Sequence, residues 1–411
     1  MVHYQAKRER LLDAIEDKSI VLLTSGVAIK KSADENYPFS VNRNFYYLTG
    51  IDEEEVVLLM LKVDNKKTCK LFIREADPQM EKWVGKTINK IQATEKAGIN
   101  EVGYLEELKG YISELCKQHE LLNVYIDDEE NKYVHFGKEL LAEHEILKPL
   151  NINNIYPLLI KQRVVKSEEE IAAIRKAITK TNAGIMNMLK NMKPKMYEYE
   201  LVAHFDYALK VSNSRPAFST IAAGGKRATI LHYITNDEQV NDNELVLFDL
   251  GATYQNYCAD ISRTFPISGK FSPRQKEIYE IVLKAQKAVI QAIKPNVTLA
   301  QLQAITVEVF QKELLRIGLI KVESLEEVRR YYYHGVSHSL GLDTHDVGIG
   351  RDDPLPINAV ITVEPGLYIE EEAIGIRIED DVLITETGAE VLSAEIIKEV
   401  DEIESFFDNK V

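Results

Sequence analysis

Four carboxylates interrupt apolar, strand-forming runs in the second half of this sequence: Asp249 in LVLFDLG, Asp260 in YCADISRTFP, Glu364 in VEPGLY and Glu379 in GIRIEDD. Runs of this kind belong in a core, and four acids are too costly to bury there unless cations accompany them. Only Arg263 and Arg377 lie close to them in sequence, and two guanidinium groups cannot neutralise four acids. The fold must therefore bring these distant strands around bound cations. Four carboxylates with an imidazole make a hard donor set, suited to a close pair of manganese-like or zinc-like ions. Such a pair generates hydroxide from water at neutral pH and clamps a tetrahedral intermediate.

Spacing supports convergence. Asp249 and Asp260 are 11 residues apart, so a hairpin turning at Tyr254-Gln255 sets them opposite each other on one face. Opposed residues lie roughly 4.5–5.5 Å apart at Cβ, where like charges repel, so the pair needs a shared proton or a cation. Glu364 and Glu379 repeat the pattern at a separation of 15, centred on Glu371-Glu372. Pro365 weakens regular pairing at that point.

Three of the nine histidines, His334, His338 and His345, fall in HGVSHSLGLDTHD. The i,i+4 spacing of His334 and His338 suits a zinc-binding helix, but the glutamate of H-E-x-x-H is missing and Gly335 and Gly341 oppose a helix. One of the three supplies a nitrogen ligand; spacing does not choose among them. His232, in RATILHYITND, reads on local grounds as structural.

At 411 residues the chain exceeds the size of one core, so two domains are expected. We place them at 1–160, a smaller mixed α/β domain, and 161–411. Pro149, the Asn-rich NINN, Pro157 and the basic KQRVVK mark the change. Residues 4–17 read as a helix, 19–24 as a strand, and 55–63 with 68–73 as a hairpin about Asp64-Asn65. Beyond the boundary, Ser167 and Glu170 form a capping box ahead of a helix carrying Ile171, Ile174, Ile178, Ile185 and Leu189 on one face. Ser272-Pro273 opens a second helix with Ile278, Ile281, Val282, Ala285 and Val289 inward, and 299–317 gives a third. Strand-like runs at 245–250, 257–265, 359–369 and 375–384 complete an α+β domain.

A formal charge of −15 argues against nucleic acid or an anionic membrane as partner and is read as conferring solubility. The start, MVHYQAKRERLLDAIEDK, lacks a signal peptide's apolar stretch, and no segment nears the roughly 18 apolar residues of a membrane span. Cys69, Cys116 and Cys258 are odd in number and unpaired in spacing. They read as reduced thiols, and a cytoplasmic location is expected.

These motifs together resemble the dinuclear metallopeptidases of the pita-bread (creatinase/aminopeptidase-like) fold, and within them the aminopeptidase P, or Xaa-Pro aminopeptidase, group. The resemblance is carried by VVKSEEEIAAIRKA, FSTIAAGGKRATILHYITND (218–237), LVLFDLGATYQNYCADISRTFP (245–266) and GKFSPRQKEIYEIVL (269–283). HGVSHSLGLDTHDVG (334–348), ITVEPGLYIE (361–370) and GIRIEDDVLIT (375–385) continue it. SADENYPFSVNRNFYYLTGIDEEEVVLL (32–59) carries it more faintly into the first half, with Ser40-Val41 where the family commonly has Arg-Gln. The resemblance implies an antiparallel sheet covered by helices. It implies Asp249, Asp260, His338, Glu364 and Glu379 as ligands of two divalent ions, with Asp260 and Glu379 bridging; manganese is expected, with zinc, cobalt or iron(II) as alternatives.

The resemblance also implies that His232, His334 and His345 hold the substrate and stabilise the intermediate, and that Arg377 orients the carboxylates. Arg263 has a weaker claim to that part, and Tyr368 either lines the pocket or belongs to the core. The implied reaction is hydrolysis of the amino-terminal bond of peptides with proline second, by attack of a hydroxide bridging the ions. Glu364 would take the proton and pass it to the leaving nitrogen. A homodimer or homotetramer is implied, with the first domain serving oligomerisation and pocket closure. Prolidase shares the ligands but prefers dipeptides; methionine aminopeptidase usually lacks a large amino-terminal companion; non-catalytic binding modules on this scaffold lack the ligands, all five of which are present.

Overall fold

The computed structural model describes residues 2–129 and 136–410. The chain divides into two compact units, the first ending at Arg163 and the second beginning at Val164. In the first, β1 (Ser19–Thr24), β2 (Val57–Val63), β3 (Lys66–Ile73), β4 (Glu101–Tyr104), β5 (Asn123–Ile126) and β6 (Asn151–Asn154) form one mixed sheet in the order β4-β3-β2-β1-β5-β6. The unbroken apolar run of β1 fits its central place, antiparallel to β2 and parallel to β5. Asp64 and Asn65 form the β2–β3 turn with φ of 52° and 59°, the left-handed pair that matches strand twist in a two-residue hairpin. The first helix, Val2–Asp13, ends earlier than the sequence predicts. Asp17 instead accepts the N–H groups of Asp64 and Asn65, both at 3.2 Å, so its segment braces the hairpin.

The second unit carries the helices Glu168–Asn191, Pro273–Ala292 and Leu299–Arg316, each behind a capping box. The apolar positions expected to face inward on the first two are all buried. Its strands are β7 (Ile221–Gly224), β8 (Leu245–Leu250), β9 (Thr253–Tyr254), β10 (Tyr257–Cys258), β11 (Ile261–Pro266), β12 (Val360–Val363), β13 (Gly366–Ile369), β14 (Ile374–Arg377), β15 (Asp380–Ile384) and β16 (Ala389–Val391). They pair as β11-β8-β7, β12-β15-β16, β13-β14 and β9-β10, and every pairing is antiparallel. Among the described residues no helix is long and apolar enough to cross a membrane.

Both predicted hairpins exist, with one correction. Asp249 lies opposite Ser262, not Asp260. The chain turns one residue later, at Gln255-Asn256, where φ is 49° and 62° and asparagine tolerates the left-handed conformation. The register moves by two positions, an even number, so Asp260 is diagonal to Asp249 rather than opposed. For the second pair, Val363 lies opposite Asp380 and Gly366 opposite Arg377. That single register, continued through the interruption, sets Glu364 against Glu379, as their odd separation predicts.

Of the interruptions, the sequence signals only the one at Pro365. Three runs read as continuous strands, 257–265, 359–369 and 375–384, break at Ala259-Asp260, Glu364-Pro365 and Ile378-Glu379. Each break frees an acid from ladder geometry.

Candidate metal centre

His338 reaches the acids along an extended segment rather than a helix. Residues 336–340 run antiparallel beside β12: Leu340 N–H donates to the Val360 carbonyl, Thr362 N–H to His338 and Glu364 N–H to Val336, at 2.9–3.0 Å. His334 precedes this segment, and its ring and that of His338 line the same cavity. The Nδ1 of His338 lies 3.0 Å from the Ser339 carbonyl. A carbonyl only accepts, so Nδ1 carries the hydrogen and Nε2 is turned to the acids, 3.5 Å from Asp260 Oδ2 and 3.5 Å from Glu364 Oε1. A fixed tautomer of this kind is how a histidine is prepared as a ligand.

One atom each from Asp260, His338 and Glu379 lie within 4.8 Å of one another. The Oδ1 of Asp249 is buried without a hydrogen-bond partner. Nine of the eleven residues singled out in the sequence (Asp249, Asp260, His232, His334, His338, His345, Glu364, Arg377 and Glu379) line one cavity of about 260 Å³, and Arg263 and Tyr368 do not.

Among the described residues Arg377 is the one guanidinium turned to these acids. Its Nε donates to Ser262 Oγ at 2.7 Å, Nη1 to Tyr368 Oη at 3.0 Å and Nη2 to Asp249 Oδ2 at 2.6 Å. Ser262 in turn donates to Glu379 Oε2 at 2.7 Å. Tyr368 lies 2.8 Å from His334 Nε2, whose Nδ1 is 2.7 Å from the Gly335 carbonyl. That carbonyl requires N–H at Nδ1, so Tyr368 donates to Nε2 and His334 is a neutral, fully engaged ring. Burial and the Arg377 charge hold its imidazole down at about 3. Tyr368 is thus both core and site: its ring is buried, and its hydroxyl joins Arg377 to His334.

Ser262 and Asp381 are neighbours of the site that sequence reasoning missed. Asp381 Oδ2 accepts the Asp260 N–H at 3.2 Å and fixes that acid's backbone. Ser262 follows Asp260 by the strand period, which is the one signal that could have marked it.

Arg263 does not orient the site carboxylates. Its Nη2 donates to Asp380 Oδ1 at 2.7 Å, and Nη1 meets the carbonyls of Ser262 and Glu379. The contrast between Glu379 and Asp380 follows. Burial alone would raise the Asp380 carboxyl, but Arg263 and Lys398 hold it far below the usual range. Glu379, one residue earlier, is pushed well above its usual range by burial, then by Asp260 and Asp249. Burial, then Asp249, lifts Asp260 to about 7 against the hydrogen bond from His338, and burial with Glu379 lifts Glu364 to about 8. Burial would lower His338, yet Asp260 and Glu364 raise it to about 10. Asp380 is a compensated structural acid; the cluster beside it sets four acids against the single guanidinium of Arg377, which reaches Asp249, and among the described residues it keeps an orphaned acceptor. Its donor set fits divalent cations.

A pH dependence follows for protein stripped of ions. Asp260 and Glu364 ordinarily titrate at 3.8 and 4.5 but keep their protons to about 7 and 8 when folded, and His338 moves from 6.5 to about 10. The folded state therefore binds more protons than the unfolded one, and stability drops as pH rises through this window. The unfolding temperature of metal-free protein should be lower at pH 8 than at pH 5, and added divalent ion should restore it most at pH 8. A flat or rising profile without metal would show the acids to be compensated by the protein itself.

His232 and His345 complete the cavity. Both are exposed, and the His345 ring stands 4.3 Å from that of His338, edge to face. Partial desolvation inside the cavity and the His338 charge lower the His345 imidazole.

Comparisons with known proteins agree with this geometry. Residues 172–386 match the model of metallopeptidase family M24, and residues 4–125 match that of the aminopeptidase P amino-terminal domain. The chain is 35% identical to a Xaa-Pro aminopeptidase of Haemophilus influenzae and 34% identical to that of Escherichia coli, in each case over 98% of this chain and 96% of the relative. Among solved structures, one assigned as an aminopeptidase P from Bacillus anthracis superposes with a TM-score of 0.95 at 46% identity, covering 100% of this chain and 99% of the other. Zinc-substituted E. coli aminopeptidase P in complex with product gives 0.93 at 32%, covering 100% and 98%.

Proposed function

This chain belongs to metallopeptidase family M24 with an aminopeptidase P amino-terminal domain, and on that premise we propose that it is a metal-dependent aminopeptidase hydrolysing the first bond of peptides whose second residue is proline. The observation that carries this reading is the buried nest of Asp260, His338 and Glu379, flanked by Asp249 and Glu364. These five would hold two divalent ions. Bound there, the ions supply Lewis acidity and lower the pKa of water.

The protein's own groups do the rest. Arg377 and Ser262 fix the Asp249 and Glu379 carboxylates. Glu364 takes the proton of the attacking water and delivers it to the proline nitrogen, which must be protonated to depart. His232 and His345 hydrogen-bond the substrate and its developing oxyanion, where one donor is worth roughly 2.7–4 kcal/mol. His334, with both ring nitrogens engaged, orders Tyr368 and the loop at Gly335.

We further propose manganese as the native ion, because a carboxylate-rich set suits hard cations. Among the described residues Cys69, Cys116 and Cys258 are in no disulfide, which supports a reducing, cytoplasmic location. Residues 1–160 are assigned to oligomerisation and pocket closure in a dimer or tetramer; the exposed Met80, Trp83 and Val84 offer apolar surface of the kind partners cover.

A short panel tests the activity. An Xaa-Pro-Xaa tripeptide should lose its first residue, an Xaa-Ala-Xaa control should not, and chelation should abolish cleavage until manganese is returned. Strong preference for an Xaa-Pro dipeptide would overturn the substrate reading; failure to hold any divalent ion at equilibrium would overturn the catalytic one.

A further inference from the structure

His232 reaches the cavity on an excursion between β7 and β8, and among the described residues its ring takes no hydrogen bond that would fix it. Its position is therefore set by its backbone. That backbone is tied at several points: Tyr333 Oη donates to the Thr229 carbonyl at 2.6 Å, Asn236 bonds the Thr220 carbonyl and the Ala222 N–H, and Glu198, at the start of the helix Glu198–Val211, makes the most bonds. Glu198 is completely buried. Its Oε1 accepts the Gly224 N–H at 2.8 Å and Arg227 Nε at 2.7 Å. Its Oε2 accepts the Tyr233 hydroxyl at 2.8 Å and the Glu238 N–H at 3.2 Å. The four donors come from both ends of the excursion and from the residue next to His232. Arg227 adds a second tie, from Nη2 to the Gln239 carbonyl at 3.2 Å.

We propose that Glu198 is a positioning residue for His232: a buried carboxylate that gathers both ends of the 224–238 excursion and so sets the imidazole against the substrate. The assignment rests on the reading of His232 as a substrate-contacting group. A carboxylate is suited to this because both oxygens accept and neither donates. Each oxygen here serves two donors, and charge-assisted bonds of this kind are about twice as strong as neutral ones. In Glu198→Gln one oxygen becomes an NH2 facing at least one N–H donor, which orphans a buried group while the side chain keeps its volume. Tyr233→Phe is milder and removes one donor of the four.

The test is a double-mutant cycle on the manganese-loaded full chain with an Ala-Pro-Ala substrate. His232→Ala alone should lower kcat/KM by about 100-fold, as loss of one oxyanion donor does. Glu198→Gln should lower it by about 10–100-fold, the range typical of supporting partners, and Tyr233→Phe by less. Metal content should stay near that of the parent, while the unfolding transition of Glu198→Gln should fall by the cost of one orphaned buried donor and that of Tyr233→Phe by less. In the His232→Ala background both substitutions should lose their effect, to within about 3-fold, because coupled residues are strongly non-additive.

Equal losses in both backgrounds would overturn the proposal and show Glu198 acting on the fold or another group. Loss of bound metal in Glu198→Gln would overturn it in the same way. If Glu198→Gln does not fold, Tyr233→Phe carries the cycle alone, and an undiminished effect without His232 refutes the assignment. Wild-type kcat/KM in His232→Ala would overturn it through its premise, a failure visible before the cycle is closed.

Discussion

Asp260→Asn protein is expected to fold, to hold fewer divalent ions and to lose about 1,000-fold or more of kcat. The magnitude follows from the role: transition-state charge stabilisation by bound ions amounts to several kcal/mol, and each 1.36 kcal/mol is tenfold in rate. Asparagine keeps the shape of this buried side chain, which is 6% exposed, and leaves the N–H donated to Asp381 in place. What it removes is one negative charge from a nest in which burial and Asp249 already oppose ionisation of Asp260. Without metal, then, the variant should unfold at or above the temperature of the metal-free parent. Inactivity with undiminished apo stability is the signature of an acid present for its ion. Near-normal turnover would refute the bridging assignment, and a sharp fall in apo stability would make Asp260 a structural acid like Asp380.

How much of this was legible beforehand depends on the range of each interaction. Helix starts were readable because a capping box lies within four residues; Ser167 N–H on Glu170 is such a contact. The Glu364–Glu379 register was readable because one hairpin period fixes it on both sides of Pro365. The Asp249 hairpin was misplaced by one residue because Tyr254-Gln255 and Gln255-Asn256 are both plausible turns, and only the structure shows Gln255 and Asn256 left-handed. Strand breaks at the acids left no mark in the apolar pattern, since the flanking residues are buried either way. Arg263 and Arg377 looked equivalent as counter-charges; adjacent strands turn one to Asp380 and the other to Asp249. His232 was known only through resemblance, for the carboxylate that gathers its loop lies 34 positions upstream.

The separation of the two arginines leads to the second large effect. Arg377→Ala should cost about 3–5 kcal/mol of stability in metal-free protein, the range for leaving one member of a buried pair uncompensated. Arg377 is 4% exposed, and its loss strips donors from Asp249, Ser262 and Tyr368 at once. Urea unfolding with and without manganese measures this, and the deficit should shrink when ions take over the Asp249 charge. Arg377→Lys is the sharper probe. It keeps the charge, but a compact ammonium cannot reproduce a fork that reaches three partners. Folding should largely survive, while Glu379 loses its indirect tie through Ser262 and His334 its tie through Tyr368, with kcat lower by about 10–100-fold. Arg263→Lys provides the contrast: its guanidinium holds Asp380 and backbone carbonyls, so that substitution should lower stability and leave metal affinity unchanged. Wild-type kcat in Arg377→Lys would mean that charge alone suffices at this position; a loss of metal affinity in Arg263→Lys would mean that the Glu379 backbone, and not only its carboxylate, sets the ion site.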